Sequence, residues 1–229
     1  MTRLILHYAP DNASLCVRLA LETAHIPYET RLVDRRQSAQ RSAAYLALNP
    51  NGLIPVLETP DGALFETAAI LLWLAERHPA LLPSDPALRA KAVTWLFWMS
   101  NTLHPTLRML FYPDQFIDTA HREALNTRTR VRLNHQLALL NATASDAKWI
   151  GADTPSVLDC YLCPMLRWTV LYPVAAATRP KLADFPALLR IAQRMETHPA
   201  TQAAIQAEGL GPTPFTAPCL PNPPEGHAT

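Results

Sequence analysis

An acidic residue and a hydroxyl residue stand side by side where the sequence predicts the start of a helix. Glu66 and Thr67 precede the apolar run 68–75, which contains no helix breaker and predicts a largely buried helix with Thr67 as its N-cap. The unpaired N–H groups at a helix N-terminus carry about half a positive charge, which suits a carboxylate, while a glutamate beside them suits an ammonium group. This pair of residues therefore predicts a site for the zwitterionic end of an amino acid or peptide.

A proline in the preceding strand indicates a second binding feature. Pro55 lies inside the apolar run 53–57, and because proline has no N–H to donate to a sheet, this run predicts an edge strand or a bulge. The cis form of an X-Pro bond costs only about 0.5–1 kcal/mol relative to trans. A cis Ile54-Pro55 bond would leave the N–H and C=O of Ile54 free to pair with an extended peptide. The dipeptide Asp61-Gly62 then predicts a hairpin turn.

The whole stretch 49–70 resembles the glutathione-binding half of the glutathione S-transferase family. It reads N-P-x-G-x-I-P-V-L, followed by D-G and then by E-T-x-A-I. In that family, the residue before a cis-proline pairs with the cysteinyl backbone of glutathione, and a glutamate-serine/threonine pair holds the γ-glutamyl end. The resemblance therefore implies that glutathione is a co-substrate bound by Ile54, Pro55, Glu66 and Thr67.

The predicted elements that position these residues form an α/β part followed by a helical part. The order strand-helix-strand-helix-strand-strand-helix predicts a thioredoxin-like domain over residues 1–78, and the resemblance implies that this domain binds glutathione. The proline-rich segment 79–86 predicts a linker, and residues 87–208 predict an all-α helical-bundle domain. Residues 209–229 are rich in proline and poor in apolar residues, which predicts an irregular tail draped over the body.

Three local signals mark the helices of the second part. Asp85 before Pro86 predicts an N-cap with proline at the first helical position. Ser156 followed three residues later by Asp159 predicts a capping box, and Pro105 predicts a kink or an interruption in the first long helix.

The activity that the resemblance implies requires a group that stabilises a thiolate. A free thiol with a pKa of about 8.5 is only about 3% ionised at pH 7, and lowering that pKa to about 6.5 requires roughly 2.7 kcal/mol. One hydrogen bond to the charged sulfur contributes about 1.5–3 kcal/mol. In the family, this donor comes from the loop between the first strand and the first helix. The candidates in this chain are Ser14, Asn12 with its neighbouring backbone N–H groups, and Tyr8.

The identity of the donor stays open at this point. The bacterial beta class is the nearest resemblance, yet Ala13 occupies the position of its catalytic cysteine. Ser14 can equally serve as an N-cap of the first helix, and Tyr8 can equally be a core aromatic residue at a strand end. Glu66 and Thr67 can likewise be simple helix-capping residues.

The acceptor side of the predicted site lies on the first long helix of the second part. His104 resembles a histidine that beta-class enzymes direct at the thiol, although a capping or surface histidine is an equal alternative. Leu107 and Phe111 follow on the same helix and, with His104, predict an apolar wall for the second substrate.

Three polar residues after the second strand lie where family members bind the glycine carboxylate of glutathione. They are Arg35, Arg36 and Gln40. A solvated turn explains them equally well, so the sequence does not single out one of them.

The composition excludes several classes of protein. A net charge of +1 with 17% charged residues lacks the excess of basic residues that nucleic-acid binding requires. No apolar run reaches the roughly 18–20 residues of a membrane span, and no secretory signal follows Met1, so we expect a cytoplasmic protein. Cys160 and Cys163 lie in a helical pattern, which favours packing over redox chemistry, and no metal site is predicted.

The leading hypothesis is a homodimeric glutathione S-transferase that activates glutathione as a thiolate and adds it to a small apolar electrophile. The homodimer is implied by the resemblance alone. Two alternatives remain: a protein of the same fold that binds glutathione or a partner without turnover, and a glutathione-dependent isomerase or disulfide reductase.

Overall fold

The computed structural model describes residues 4–174 and 179–228. Its first part combines a four-stranded sheet with helices, and its second part is helical. The first part contains β1 (Leu4–Tyr8), α1 (Ser14–Thr23), β2 (Tyr28–Leu32), α2 (Ala43–Leu48), β3 (Val56–Thr59), β4 (Gly62–Phe65) and α3 (Thr67–Arg77). The second part contains α4 (Pro86–Trp98), α5 (His104–Phe111), α6 (Arg122–Ala144), α7 (Val157–Leu171), α8 (Pro186–Thr197) and α9 (Pro199–Glu208). The predicted architecture, an α/β part followed by a helical part, is confirmed.

The sheet has the strand order β2-β1-β3-β4. β1 and β2 are parallel and are connected through α1, whereas β3 runs antiparallel to β1 with Leu6 opposite Leu57. β3 and β4 form the predicted hairpin, and the pair Thr59 and Gly62 closes its turn. Pro55 lies immediately before β3 rather than inside it, because a residue without an N–H cannot join the ladder.

One continuous core joins the sheet to the helices. α1 is buried from Ser14 to Leu21 and packs against α3, α7 and α9. Leu15 and Leu19 of α1 and Tyr161 of α7 are buried together in this core. Because the burial of one leucine side chain contributes about 1.5–3 kcal/mol, this core holds α1 and the loop before it firmly against the helical part.

The capping residues predicted for α4 and α7 occupy the helix ends expected for them. The Asp85 carboxylate accepts the Leu88 N–H at 2.8 Å, with Pro86 at the first position of α4. At the start of α7, Asp159 Oδ2 accepts the Ser156 N–H at 2.8 Å and completes the predicted capping box. Each such cap contributes about 1 kcal/mol and fixes where its helix begins.

A π-helical turn, Met99–Leu103, separates α4 from α5. Pro105 is the second residue of α5, so it can neither donate the hydrogen bond of a regular helix nor avoid the carbonyl four residues earlier. The predicted interruption is therefore confirmed. It decides which face of α5 is turned toward the first part of the chain.

Residues 209–228 form neither helix nor strand, but they are well anchored. Leu210 and Phe215 are fully buried and anchor the segment. The Arg167 guanidinium donates to the Leu210 C=O at 3.1 Å, and at the far end of the segment Glu225 accepts a hydrogen bond from the Tyr8 hydroxyl. This C-terminal segment thus returns to the end of β1.

The predicted linker 79–86 contains a short 3-10 turn, Pro79–Leu81, and ends where α4 begins. The domain boundaries remain predictions. None of the helices in the described ranges is long and apolar enough to cross a membrane, and the same residues contain no group of three or more potential metal ligands.

Candidate functional site

A cleft of about 600 Å³ opens between the sheet and the helical part. It is lined by the β1–α1 loop, the segment before β3, the start of α3, and parts of α5 and α7. This volume suits a small-molecule or tripeptide ligand. The predicted site residues that line the cleft are Asn12, Ile54, Pro55, Glu66, Thr67, His104 and Phe111. Tyr8, Ser14 and Leu107 do not line it.

The backbone before β3 presents an unpaired strand edge to this cleft. The Ile54-Pro55 bond is cis. The preceding Leu53 carbonyl is held by the Tyr45 hydroxyl and by Asn49 Nδ2, each at 2.8 Å. Neither the N–H nor the C=O of Ile54 is paired within the described part of the chain. This edge can therefore hydrogen-bond the backbone of an extended ligand.

Glu66 and Thr67 form the corner between β4 and α3. Glu66 is the N-cap residue and Thr67 the first helical residue, so the prediction that Thr67 is the N-cap was wrong by one position. Glu66 has φ +71°, which is uncommon outside glycine, and its side chain caps nothing and is exposed. Such backbone conformations cost free energy and persist only where the surrounding structure holds them. They cluster at ligand-binding positions. Glu66 and Thr67 both line the cleft, so the carboxylate and the N–H groups of the first turn are available to a ligand there.

Asn12 is the candidate thiolate donor that the structure brings into the cleft. Its Oδ1 accepts the Ala13 N–H at 2.8 Å, which fixes the side chain at the start of α1. Its Nδ2 donors have no partner among the described residues and remain available to a ligand.

Ser14 is buried beneath the loop, so the structure does not support it as a group that reaches the ligand. Its hydroxyl donates to the Ala9 C=O at 3.0 Å and accepts the Ala9 N–H at 3.3 Å. The turn after β1 leaves both of these buried backbone groups without a sheet partner, and the hydroxyl satisfies them. Ser14 therefore stabilises the loop and does not cap α1, whose N-cap residue is Ala13.

Tyr8 also points away from the cleft. Its ring lies under the Arg18 guanidinium at 4.8 Å, and its hydroxyl donates to the Glu225 carboxylate of the C-terminal segment. Burial and the neighbouring Glu225 carboxylate raise the pKa of the Tyr8 hydroxyl well above its usual value. Because Glu225 lies 217 residues away in sequence, no local pattern indicated this partner.

A buried carboxylate that the sequence analysis missed anchors the β1–α1 loop. Asp11 Oδ1 accepts from Arg167 Nε and from Trp168 Nε1, and its Oδ2 accepts from the Tyr172 hydroxyl, each at 2.8 Å. Both charged side chains are fully buried. The donors come from the end of α7, so this network fixes the loop that carries Asn12 against the helical part.

A second buried pair supports the same loop from below. Glu208 at the end of α9 accepts the Asp11 N–H at 2.8 Å and pairs with Arg18 Nε at 2.7 Å. Burial raises the pKa of the Glu208 carboxyl, and the Arg18 guanidinium opposes this effect by stabilising the anion. The loop is thus held by two helices that are distant from it in sequence.

His104 is the first residue of α5 and lines the acceptor side of the cleft. Its Nδ1 lies 2.8 Å from the Tyr161 hydroxyl, and its ring lies 5.7 Å from the ring of Trp168. Burial, together with the charge of Arg108, lowers the pKa of His104 to about 4. The imidazole is therefore neutral at pH 7.

Of the two apolar residues predicted for the acceptor wall, only Phe111 lines the cleft. Leu107 is fully buried, and its assignment to the wall was wrong. Positions 103, 107 and 110 share the inner face of α5, whereas positions 104, 108 and 111 share the face toward the cleft. The sequence did not predict the π turn before α5. A helical wheel drawn without that turn could not show which of the two faces is directed at the cleft.

Several cleft residues were not singled out from the sequence. They are Arg108, Tyr112, Tyr161, Trp168 and Tyr172. Tyr161 and Trp168 on α7 and Tyr172 at its C-cap recur at spacings of seven and four residues, which place them on one helical face, and this was the available signal. Of the three candidates for the glycine carboxylate, only Arg35 lines the cleft, where its Nη2 donates to the Tyr112 hydroxyl at 3.1 Å.

Comparison with known proteins agrees with this geometry. Residues 13–77 match the family model described as the glutathione S-transferase N-terminal domain. A glutathione S-transferase from Xanthomonas campestris is 32% identical over 214 residues, which cover 90% of this chain and 98% of that protein. This chain belongs to the glutathione S-transferase family.

Two further proteins show similar coverage. A disulfide-bond oxidoreductase from Escherichia coli is 29% identical, over 90% of this chain and 96% of that protein. The crystal structure of a Burkholderia graminis glutathione transferase, with two glutathione molecules bound per subunit, is 27% identical with a TM-score of 0.75. That match covers 91% of this chain and 90% of the other. Since relatives within the family differ in their reactions, the reaction of this member has to follow from its own cleft.

Proposed function

We propose that this protein activates glutathione as a thiolate in the cleft and conjugates it to a small electrophile with an apolar body. The observation that supports this most strongly is a convergence. The unpaired Ile54 backbone, the Glu66 carboxylate and the Asn12 amide come from three separate segments and line one cleft. These are the groups that a peptide backbone, an ammonium group and a thiolate respectively require.

In this proposal, the tripeptide is held at two points. The N–H and C=O of Ile54, next to Pro55, pair with its cysteinyl residue. Glu66 binds the γ-glutamyl ammonium group, and the N–H groups at Thr67 and in the following turn bind the α-carboxylate. With both points occupied, the sulfur lies toward the β1–α1 loop.

Asn12 is the proposed stabiliser of the thiolate. One hydrogen bond from Nδ2 to the anion contributes about 1.5–3 kcal/mol, and the N-terminus of α1 adds about 0.3–1 kcal/mol. Their sum of about 2–4 kcal/mol covers the roughly 2.7 kcal/mol needed to lower the thiol pKa by two units. Ser14 and Tyr8 are not needed for this balance.

The acceptor binds against His104 and Phe111 on α5. The thiolate attacks the electrophilic carbon, so that a carbon–sulfur bond forms while a leaving group departs as an anion. Where the acceptor is instead an activated double bond, a proton from water completes the addition. A neutral His104 fits this role because it adds no net charge beside an apolar substrate.

Retention on immobilised glutathione, combined with a panel of electrophiles, tests the proposal. We expect retention together with thioether formation that exceeds the rate without enzyme. Retention without turnover on any electrophile would instead support a binding protein of the same fold. A chain that fails to bind glutathione would contradict both readings.

Reduction of disulfides is the second candidate, and the Escherichia coli relative named as a disulfide-bond oxidoreductase favours it. In this reaction, the thiolate of bound glutathione attacks a disulfide and forms a mixed disulfide while one thiolate leaves. A second glutathione thiolate then attacks the mixed disulfide, which gives glutathione disulfide and releases a second thiol. Because Ala13 occupies the position of the beta-class cysteine, glutathione itself supplies the attacking sulfur. Faster turnover of a small dialkyl disulfide than of any electrophile would favour this candidate. A double-bond isomerase would show neither disulfide reduction nor thioether formation in these assays.

We further propose that the protein is a homodimer, as the family resemblance implies, and that it is cytoplasmic, as the sequence analysis predicts. Light scattering coupled to size-exclusion chromatography is expected to give twice the mass of the chain, which is 25.4 kDa. A monomeric mass would contradict the dimer and leave the proposal about the cleft intact.

A further inference from the structure

The cleft contains two guanidinium groups that lack an acidic partner. Arg35 and Arg108 both line it, and neither lies within ion-pair distance of a carboxylate in the described residues. Of the acidic residues in the lining, Asp11 is already bound by Arg167, which leaves only Glu66. Among the described residues, the side chains that line the cleft therefore carry an excess of positive charge.

The charged groups of the cleft can be assigned to one or the other of the two substrates, and this assignment rests on the proposed function. The ammonium group of glutathione takes Glu66, and its α-carboxylate takes the N-terminus of α3. Its glycine carboxylate takes Arg35, which follows β2 where the family resemblance implies that site. Arg108 then remains without a partner on glutathione.

The position of Arg108 assigns it to the acceptor. It lies one turn beyond His104 and one turn before Phe111, on the face of α5 that lines the cleft. Its guanidinium lies 5.6 Å from the centre of the Tyr112 ring, and its Nη2 donates to Gln115 Oε1 at 3.3 Å. These two contacts hold the group in place but leave most of its five N–H donors unused.

We propose that the acceptor of this enzyme carries a carboxylate, or a comparable anionic group, which Arg108 binds while the apolar body lies against Phe111. A guanidinium matches the geometry of a carboxylate through two parallel hydrogen bonds. In a partly desolvated cleft such a pair contributes more than an exposed ion pair does. Arg108 thus determines specificity rather than taking part in the reaction.

Binding of a matched pair of unreactive ligands tests this assignment. The pair is 3,5-dinitrobenzoate and 3,5-dinitrobenzamide, titrated by calorimetry into the full-length protein saturated with glutathione. We expect wild-type protein to prefer the carboxylate by about tenfold or more, and Arg108→Gln to abolish most of that preference. Arg108→Lys keeps the charge and is expected to restore part of it. Arg132→Gln, an exposed arginine on α6 outside the cleft, is the matched control and is expected to retain the preference.

The same four proteins are then assayed with 4-chloro-3,5-dinitrobenzoate and its primary amide. The expected result is a fall of about tenfold in the carboxylate-to-amide ratio of kcat/KM for Arg108→Gln, with no change in the KM for glutathione. Equal losses on both acceptors, or no carboxylate preference in the wild type, would overturn the proposal. A raised KM for glutathione would also overturn it, because Arg108 would then bind the tripeptide.

The two experiments separate this inference from the proposed function. A protein that binds the carboxylate selectively through Arg108 but forms no thioether would refute conjugation and leave the anion site intact. A protein that conjugates both acceptors equally well would keep conjugation and refute the anion site.

Discussion

The substitution Asp11→Asn removes the negative charge that anchors the β1–α1 loop while keeping nearly the same side-chain shape. In the wild type, this carboxylate accepts from Arg167, Trp168 and Tyr172, each at 2.8 Å. The substitution leaves the Arg167 guanidinium buried without a counter-charge. We therefore expect a large loss of stability, together with a displaced Asn12.

The size of the loss follows from the remaining partners of the guanidinium. Breaking a buried ion pair by removing one partner typically costs about 3–5 kcal/mol. Arg167 keeps its hydrogen bonds to the carbonyls of Leu210, Pro214 and Cys219, so part of its desolvation stays compensated. We expect a decrease of about 3 kcal/mol in the free energy of unfolding, which is a large fraction of a typical total of about 5–15 kcal/mol.

Urea unfolding followed by tryptophan fluorescence measures this change. Asp146→Asn, an exposed position outside the network, is the matched control and is expected to change stability by less than about 0.5 kcal/mol. In the double variant Asp11→Asn with Arg167→Met, the combined loss is expected to be smaller than the sum of the single losses, because no buried charge is left unpaired. A loss below about 1 kcal/mol for Asp11→Asn, or strict additivity in the double variant, would refute the reasoning.

Three further predictions concern the cleft. Asn12→Ala is expected to raise the pKa of bound glutathione by about one to two units, measured from the ultraviolet absorbance of the thiolate against pH, and an unchanged titration would rule Asn12 out as the donor. Ser14→Ala is expected to leave that pKa unchanged while lowering stability by about 1–3 kcal/mol in urea, because the Ala9 backbone groups lose their partner; a raised thiol pKa at full stability would reverse these roles. His104 has a folded-state pKa of about 4 and an unfolded value of about 6.5, so the unfolded state takes up the proton first as the pH falls. The free energy of unfolding is therefore expected to decrease by up to about 3 kcal/mol between pH 6.5 and pH 4. The pH dependence of stability over this range is therefore expected to be shallower in His104→Gln than in the wild type or in the exposed control His121→Gln, and identical curves would contradict the low pKa.

The side of the cleft that we propose binds glutathione was largely predictable, because its residues are neighbours in the chain. Ile54, Pro55, Glu66 and Thr67 lie within one hairpin and the helix that follows it, and their arrangement depends on local backbone preferences. The proline ends one ladder, the aspartate-glycine turn returns the chain, and the helix start follows directly. Even the error over the N-cap was a shift of one residue.

The donor side was less predictable, because neighbouring residues in the β1–α1 loop face different surroundings. The sequence left Ser14, Asn12 and Tyr8 as candidates, yet only Asn12 lines the cleft. The Ser14 hydroxyl hydrogen-bonds the backbone of Ala9, and the Tyr8 hydroxyl donates to a carboxylate near the other end of the chain. A choice among them depends on which buried groups need a partner.

The order of neighbouring residues in the sequence was thus enough to predict the family resemblance, the order of strands and helices, the hairpin, most of the caps and the residues expected to bind glutathione. Tertiary structure alone decided which helical face meets the cleft, and it brought Asp11 together with Arg167 across 156 residues. Spacing along the chain specifies contacts within a turn or a hairpin, because the backbone itself sets those distances. Contacts between distant segments depend on how whole elements pack, so the buried charges, the C-terminal segment on β1 and the face of Arg108 appear only in the folded protein.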